Sequence, residues 1–455
     1  MELKVKLKQH TPLIHFQWDQ EGATLRATEV KPKLDRYIKE LDKYYDKNVL
    51  EEVNKIPDGN GVYRLTVLQS VVKEKTIPKV LTKKEKKDKE YNSVEPVSRD
   101  GYKQKMIRSL YFGDIKAMLE YSDDVILQFQ SFDQKILVKA ILALPIMLAL
   151  ENFGARQNKG FGSFYIDGDL TINEFPDIKV LSNIEEIYQK YKEKTDNNVY
   201  FFDLESSDYI KVFEKIFYFY NALKAGTNER KKTDKGEKKK VYSKSLLWKY
   251  MRQSIPDLVW EKRVMKQLLI GDYILENLDP QNYLYIRILL GLSPIYEFKS
   301  TVDRSDIDHP IRMDNDYGDT RKLSIPQNVK FNVEHIADNN TEKLERTTSP
   351  ITFKPVQVSD SYRVYIILKK ELLTGINDLK FEFKFKKLEK NEQKFNNNGN
   401  FTQEKSFYLY SPTVDKFDLN KFMDFAANEI NKKQVNEFLN DLRIEKLRWG
   451  GSNGK

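Results

Sequence analysis

The stretch ENFGARQNKGFGSF, Glu151 to Phe164, follows a long apolar run and precedes a short β-type segment. It carries three glycines, Gly154, Gly160 and Gly162, with Arg156 and Lys159 between them. Glycine tolerates positive φ and close backbone approach, so successive N–H groups of such a loop can converge on an anion. The two cations supply the charge that attracts a phosphodiester backbone, and Phe161 or Phe164 offers a ring on which a base can stack. The same spacing also fits a helix capped by Gly154 and followed by a tight turn. Nucleotide loops fit worse. A triphosphate-binding loop runs from strand to helix and needs GxxxxGK[ST], whereas Phe161 and Gly162 follow Gly160 here. A dinucleotide fingerprint also opens a helix, and this loop closes one.

Working outward, Ile136 to Leu150 is apolar apart from Lys139 and is interrupted by Pro145. It is shorter than the roughly 20 residues of a membrane span and reads as a buried core helix. Near the start, Leu3, Val5 and Leu7 alternate with Lys4, Lys6 and Lys8, the pattern of a half-buried strand. Between Lys31 and Tyr45 the apolar residues Leu34, Ile38, Leu41 and Tyr45 fall on one helix face. Gly61 to Val72, Val125 to Phe132 and Phe161 to Leu170 read as strands. The resulting order, β-α-β-β-α-β, predicts a ferredoxin-like (RRM-like) unit over residues 1–175. An insertion at 73–121, with the run KKEKKDKE at Lys83 to Glu90, reads as a basic hairpin between its second and third strands.

Residues 176–282 read as mostly helical, with the stripe Ile210, Phe213, Phe217 and Tyr220. The run ERKKTDKGEKKK, Glu229 to Lys240, reads as an exposed loop within that region. From Tyr283 the pattern returns to strands, at Tyr283 to Leu290, Ser361 to Leu368 and Lys380 to Leu388. A last helix is expected at Asp418 to Leu442. The expected fold is therefore α+β: two ferredoxin-like domains, 1–175 and 283–455, joined by a mostly helical middle.

The chain has 455 residues, with 77 Lys plus Arg against 68 Asp plus Glu, a net charge of +9. That balance permits a phosphate-rich partner without demanding one. There is no cysteine, which excludes disulfides, thiolate nucleophiles and Cys-containing zinc sites. The four histidines, His10, His15, His309 and His335, have no compact ligand spacing, so no metal and no cofactor is expected. The N-terminal residues lack the apolar core of a signal peptide, and a cytoplasmic protein with no membrane partner is the expectation.

The form G-x-R-x-x-x-G-F-G-S after a hydrophobic helix resembles the signature loop of the RAMP superfamily, the RNA-binding proteins of CRISPR systems built on RRM-like folds. TPLIHFQ at Thr11 to Gln17, followed by GATLRATEVKPKLDRY at Gly22 to Tyr37, is similar to the family's Thr-Pro turn and the Arg-bearing segment leading into its first helix. RTTSPITFKPV at Arg346 to Val356 resembles a Ser-Pro strand of one branch, the two-domain subunit at the head of Cmr-type (type III-B) complexes. The resemblance implies a non-catalytic subunit that contacts guide RNA, target RNA or both near the guide 3′ end, beside sibling RAMP subunits. It makes Gly154, Arg156, Lys159, Gly160, Phe161, Gly162 and Ser163 the RNA-contacting loop. Arg26, Lys31, Lys33 and Arg36 become candidate phosphate contacts at the first helix, although bases at a helix start are equally often solvated.

Some RAMP proteins cleave repeat RNA without a metal, which makes a metal-independent endoribonuclease the alternative reading. Such chemistry needs a group titrating near neutrality at the 2′-hydroxyl, and only His10 and His15, flanking Thr11-Pro12, are placed to supply it.

Overall fold

A computed structural model describes residues 1–14, 25–69, 74–76, 97–99, 102–105, 119–122, 124–232, 238–261, 284–292, 295–298, 329–336, 344, 347–386, 406–433 and 435–448. The chain divides into two units, each discontinuous in sequence. One comprises Met1–Phe217, Ile351–Leu368 and Leu442–Lys455; the other comprises Tyr218–Pro350 and Lys369–Asp441. The consecutive segments 1–175, 176–282 and 283–455 expected from sequence are not these units.

The first unit holds two four-stranded antiparallel sheets and a third sheet of five short strands. In the third, Leu13–Ile14 pairs with Leu119–Tyr121, and Glu74–Thr76, Tyr102–Lys105 and Val97–Arg99 from the 73–121 insertion continue it. Strands β1 (Glu2–Gln9), β2 (Arg64–Gln69), β3 (Val125–Gln130) and β4 (Phe164–Ile166) lie in the spatial order β2-β3-β1-β4. Helices α1 (Ala27–Ile38) and α2 (Gln134–Leu150) fall between them in the chain, giving β1-α1-β2-β3-α2-β4. Val5 and Leu7 point into the core while Lys4 and Lys6 point out, as alternation requires. Helix α2 is apolar on every side and is buried accordingly; the Asp133 carboxylate caps its first turn by accepting from the Ile136 N–H. Val30, Leu34 and Tyr37 of α1 join the same core.

The second sheet repeats this plan. Strands β5 (Val199–Leu204), β6 (Ile351–Val358), β7 (Ser361–Leu368) and β8 (Glu445–Lys446) lie in the order β6-β7-β5-β8, every neighbouring pair antiparallel. Helix α3 (Ile184–Thr195) precedes β5, α4 (Tyr209–Lys224) follows it, and α5 (Leu419–Asn431) separates β7 from β8 in the chain. Ile187, Tyr188 and Tyr191 of α3 and Tyr365 and Ile367 of β7 join the core of the first sheet, so one hydrophobic interior serves both.

The second unit arises from two long excursions, one running from within α4 to β6, the other from β7 to β8 and including α5. Its sheet comprises Ile295–Phe298, Val329–His335, Lys380–Lys386 and Ser406–Tyr410, paired in that order. The expected exposed loop at Glu229 to Lys240 is instead part of a hairpin, Thr227–Lys232 with Lys238–Ser243. Tyr283 to Leu290, expected as a strand, contains a short 3₁₀ helix at Ile286–Leu290. Ile286, Ile288, Leu289 and Leu290 are all buried, which a half-exposed strand cannot achieve for consecutive residues. The expected helix from Asp418 stops at Asn431. Lys83 to Glu90 lies outside the described residues.

Candidate nucleic-acid interface

The three segments that carry the sequence resemblance meet in the first unit. The turn at Thr11-Pro12 lies against Gly154–Ser163: the Thr11 hydroxyl donates to the Gly160 carbonyl at 2.6 Å and accepts from the Ser163 N–H at 3.0 Å. Gly162 N–H donates to the Pro12 carbonyl, Ala155 N–H to Ile14, and His10 N–H to Ser163, all at 2.8–2.9 Å. From the other side, β6 closes on the same loop. The Ser163 hydroxyl donates to the Pro355 carbonyl at 2.6 Å, and the Asn152 amide donates to the Phe353 carbonyl at 2.8 Å. Lys354, fully buried, donates to the carbonyls of Glu151 and Phe164, each at 2.9 Å. These bonds tie the first module to the second.

Two glycines are obligatory in this arrangement. Gly162 has φ +64° and a Cβ there would lie 2.1 Å from the Phe153 carbonyl oxygen. Gly154, at φ +77°, would meet the Ile14 carbonyl oxygen at 2.5 Å. Both need the left-handed region and the space of a missing side chain.

This geometry corrects the anion-cradle expectation. The N–H groups of Gly154, Ala155, Lys159, Gly160, Gly162 and Ser163 all donate within the protein, Gly154 to the Glu29 carboxylate at 2.6 Å. Gly160, Phe161, Gly162 and Ser163 are buried. Phe161 stacks on Phe213 with centroids 3.9 Å apart, and Phe164 is equally shut from solvent, so neither ring can take a base. The Lys159 ammonium is out of contact with solvent. Lys159 thus faces the protein, where its backbone bridges to Phe353.

What faces outward is the turn around Arg156 and the side of α1 beside it. Arg156 sits at φ +56°, partly exposed at the outer bend. Lys33 donates to the Asn152 carbonyl and the Gln157 side chain, both at 2.6 Å, and pins α1 to the loop. Arg36, 55% exposed, reaches Glu151 at 2.7 Å. Lys31 pairs with Asp35 at 3.1 Å, and Arg26, partly exposed, precedes the helix. The fold therefore brings Lys33 and Arg36 of the first helix against the loop, more than a hundred residues away in sequence, whereas Lys31 lies over the Tyr63 ring on the other side of the helix. The outward bases at this junction are Arg36 and Arg156, with Glu151 paired to Arg36 between the helix and the loop.

His10 is buried among these contacts. Its Nδ1 accepts from the Gln357 N–H at 3.0 Å, and its carbonyl accepts from the Tyr362 hydroxyl at 2.6 Å. Burial, with Lys354 and Lys8 nearby, holds its pKa well below the usual imidazole range. His15 and His309 lie outside the described residues, and His335 is buried in the second unit. Among the described residues, no cluster of His, Asp or Glu is arranged to hold a metal, and no helix is long and apolar enough to cross a membrane.

Two interlocked modules sharing one core, joined through a glycine-rich turn, a Thr-Pro turn and the strand from Ile351, make the first unit a two-module α/β body. The chain belongs to the Cmr1 family: residues 1–227 match the family's Cmr1 N-terminal domain and residues 242–448 its Cmr1 C-terminal domain. Among solved structures, Cmr1 from Pyrococcus furiosus in its apo form is 13% identical, with a TM-score of 0.37 over 99% of this chain and 100% of that one. A chain of a type III-B Cmr-beta complex, solved by cryo-EM with cognate target RNA, AMPPnP and single-stranded DNA, is also 13% identical. It has a TM-score of 0.33 and covers 80% of this chain and 93% of that one. No curated protein matches.

Proposed function

We propose that this chain is a non-catalytic RNA-binding subunit of a type III-B effector complex, working in the cytoplasm beside sibling RAMP subunits. It contacts guide RNA, target RNA or both near the guide 3′ end. Both modules are read as ferredoxin-like, since each runs β-α-β-β-α-β with its second strand at one edge and its fourth at the other. The observation that carries the proposal is the basic face formed by α1 and the Arg156 turn, held rigid by the loop behind it. Arg156, Arg36 and Arg26 are the phosphate contacts of that face, and Lys31 is a further one on the Tyr63 side of α1; Gly154, Lys159, Gly160, Phe161, Gly162 and Ser163 build the support. Arg36 and Lys31 already pair with carboxylates, which orients their side chains while leaving further N–H donors for phosphate.

The endoribonuclease alternative finds no support at His10, whose Nδ1 is committed to Gln357 inside the core. The test is ultraviolet cross-linking of the assembled complex on its guide and target RNA. Cross-linked peptides from α1 or from the turn after Phe153 support the proposal; RNA that never cross-links to this face overturns it.

A further inference from the structure

The sheet of the second unit buries one face and exposes two tyrosines on the other. Phe381, Phe383 and Leu409 point inward, and Phe383 stacks on Phe407 with centroids 5.0 Å apart. The intervening residues lie on the other face: Lys380 and Lys384 with the buried Glu382 between them on one strand, Tyr408 and Tyr410 on the next. Tyr408 is 48% exposed and Tyr410 43%, large aromatic surface for two neighbouring same-face positions. Their separation, i to i+2 along a strand, is about 7 Å. Lys380, opposite Tyr410 in the register, holds its ammonium 4.1 Å from the Tyr408 ring centroid. Lys384, exposed on the same face, reaches Glu382 at 3.1 Å.

We propose that this face is a second RNA-binding surface, on which Tyr408 and Tyr410 stack unpaired bases of a single strand while Lys380 and Lys384 draw in its phosphates. Paired rings on a strand, interleaved with lysines, form the platform by which sheets grip single-stranded nucleic acid whatever its sequence, because every base presents a π-face. A base that stacks on that face of Tyr408 displaces the Lys380 ammonium from the ring and leaves it free to meet a phosphate. The choice of RNA over DNA rests on the function proposed above; the stacking platform does not.

The test uses the full chain and two short ligands of equal charge, an oligouridylate and its abasic ribose-phosphate counterpart. Tyr408→Val/Tyr410→Val keeps strand propensity and removes the rings, whereas Tyr408→Phe/Tyr410→Phe keeps the rings and removes the hydroxyls. The valine pair should lose about tenfold or more in affinity for oligouridylate and nothing for the abasic ligand. The phenylalanine pair should bind as the wild type does. Unchanged binding by the valine pair overturns the proposal. So does an equal loss on the abasic ligand, or a valine variant that keeps oligouridylate affinity and loses a sibling subunit instead. An Arg36→Ala/Arg156→Ala variant in the same assay separates the two surfaces, because its loss should be the same for both ligands.

Discussion

Exchanging Thr11 for Val keeps the shape of the side chain and removes only its hydroxyl. Thr11 is fully buried, and its Oγ1 both donates to Gly160 and accepts from Ser163. The change leaves one carbonyl and one N–H without this partner in the interior, where each such group costs about 1–3 kcal/mol. A total loss of roughly 2–6 kcal/mol follows, which lowers the melting temperature by roughly 4–24 °C for a body of this size. Thr11→Ser is the informative comparison, since it deletes the methyl and keeps both hydrogen bonds. Losing one buried methyl costs about 0.8 kcal/mol, so serine should be the milder change. Urea denaturation of the two variants beside the wild type measures both terms. A valine variant as stable as the serine variant would refute the view that Thr11 locks the loop.

Gly162→Ala should destabilise severely or give no folded protein, because the new Cβ meets backbone. Gly168→Ala, at φ +97° with open space around it, should cost only about 1–2 kcal/mol; soluble yield and thermal melts distinguish them. His10 has a folded-state pKa below its unfolded one, so the unfolded chain gains a proton first as pH falls through the usual imidazole range. Stability should decline below that range, and His10→Gln should flatten the decline in pH-dependent urea melts. Lys224, buried in the second unit, is held down to about 7 chiefly by burial and then by Arg287. Between that value and the unfolded lysine value only the unfolded chain carries the proton. Stability should therefore rise with pH there, by about 1.4 kcal/mol per pH unit, and Lys224→Met should remove the slope.

The first module is legible in the sequence because its signals are local. Alternation marks β1, the all-apolar run marks α2, and the glycines mark a turn between α2 and β4. The second module is hidden by its interruptions. Val199–Leu204 pairs with Ser361–Leu368, so its partner is more than 150 residues away, and no local pattern links them. Lys446 and Glu445 close that sheet with two residues, too few for any periodicity. The glycine-rich loop stands out by residue type, but residue type does not say which way its amides point. Glycines that let backbone approach an anion equally let it approach another strand, and only the partners decide which occurs. Here Thr11 and Pro12 accept from the N–H groups that the sequence offers to phosphate, and Pro355 accepts from the Ser163 hydroxyl. Residue type alone also does not separate Arg156, at the outer bend, from Lys159, whose ammonium faces inward.

The basic face is tested most directly by the salt dependence of single-stranded RNA binding by the wild type and by Arg36→Ala/Arg156→Ala. Each phosphate that the variant no longer neutralises should make the slope of log affinity against log salt shallower by about 0.7, with weaker binding at low salt and unchanged thermal stability. Lys159→Ala should instead lower stability and leave the slope alone. An arginine variant whose affinity and slope match the wild type would show that RNA does not touch this face.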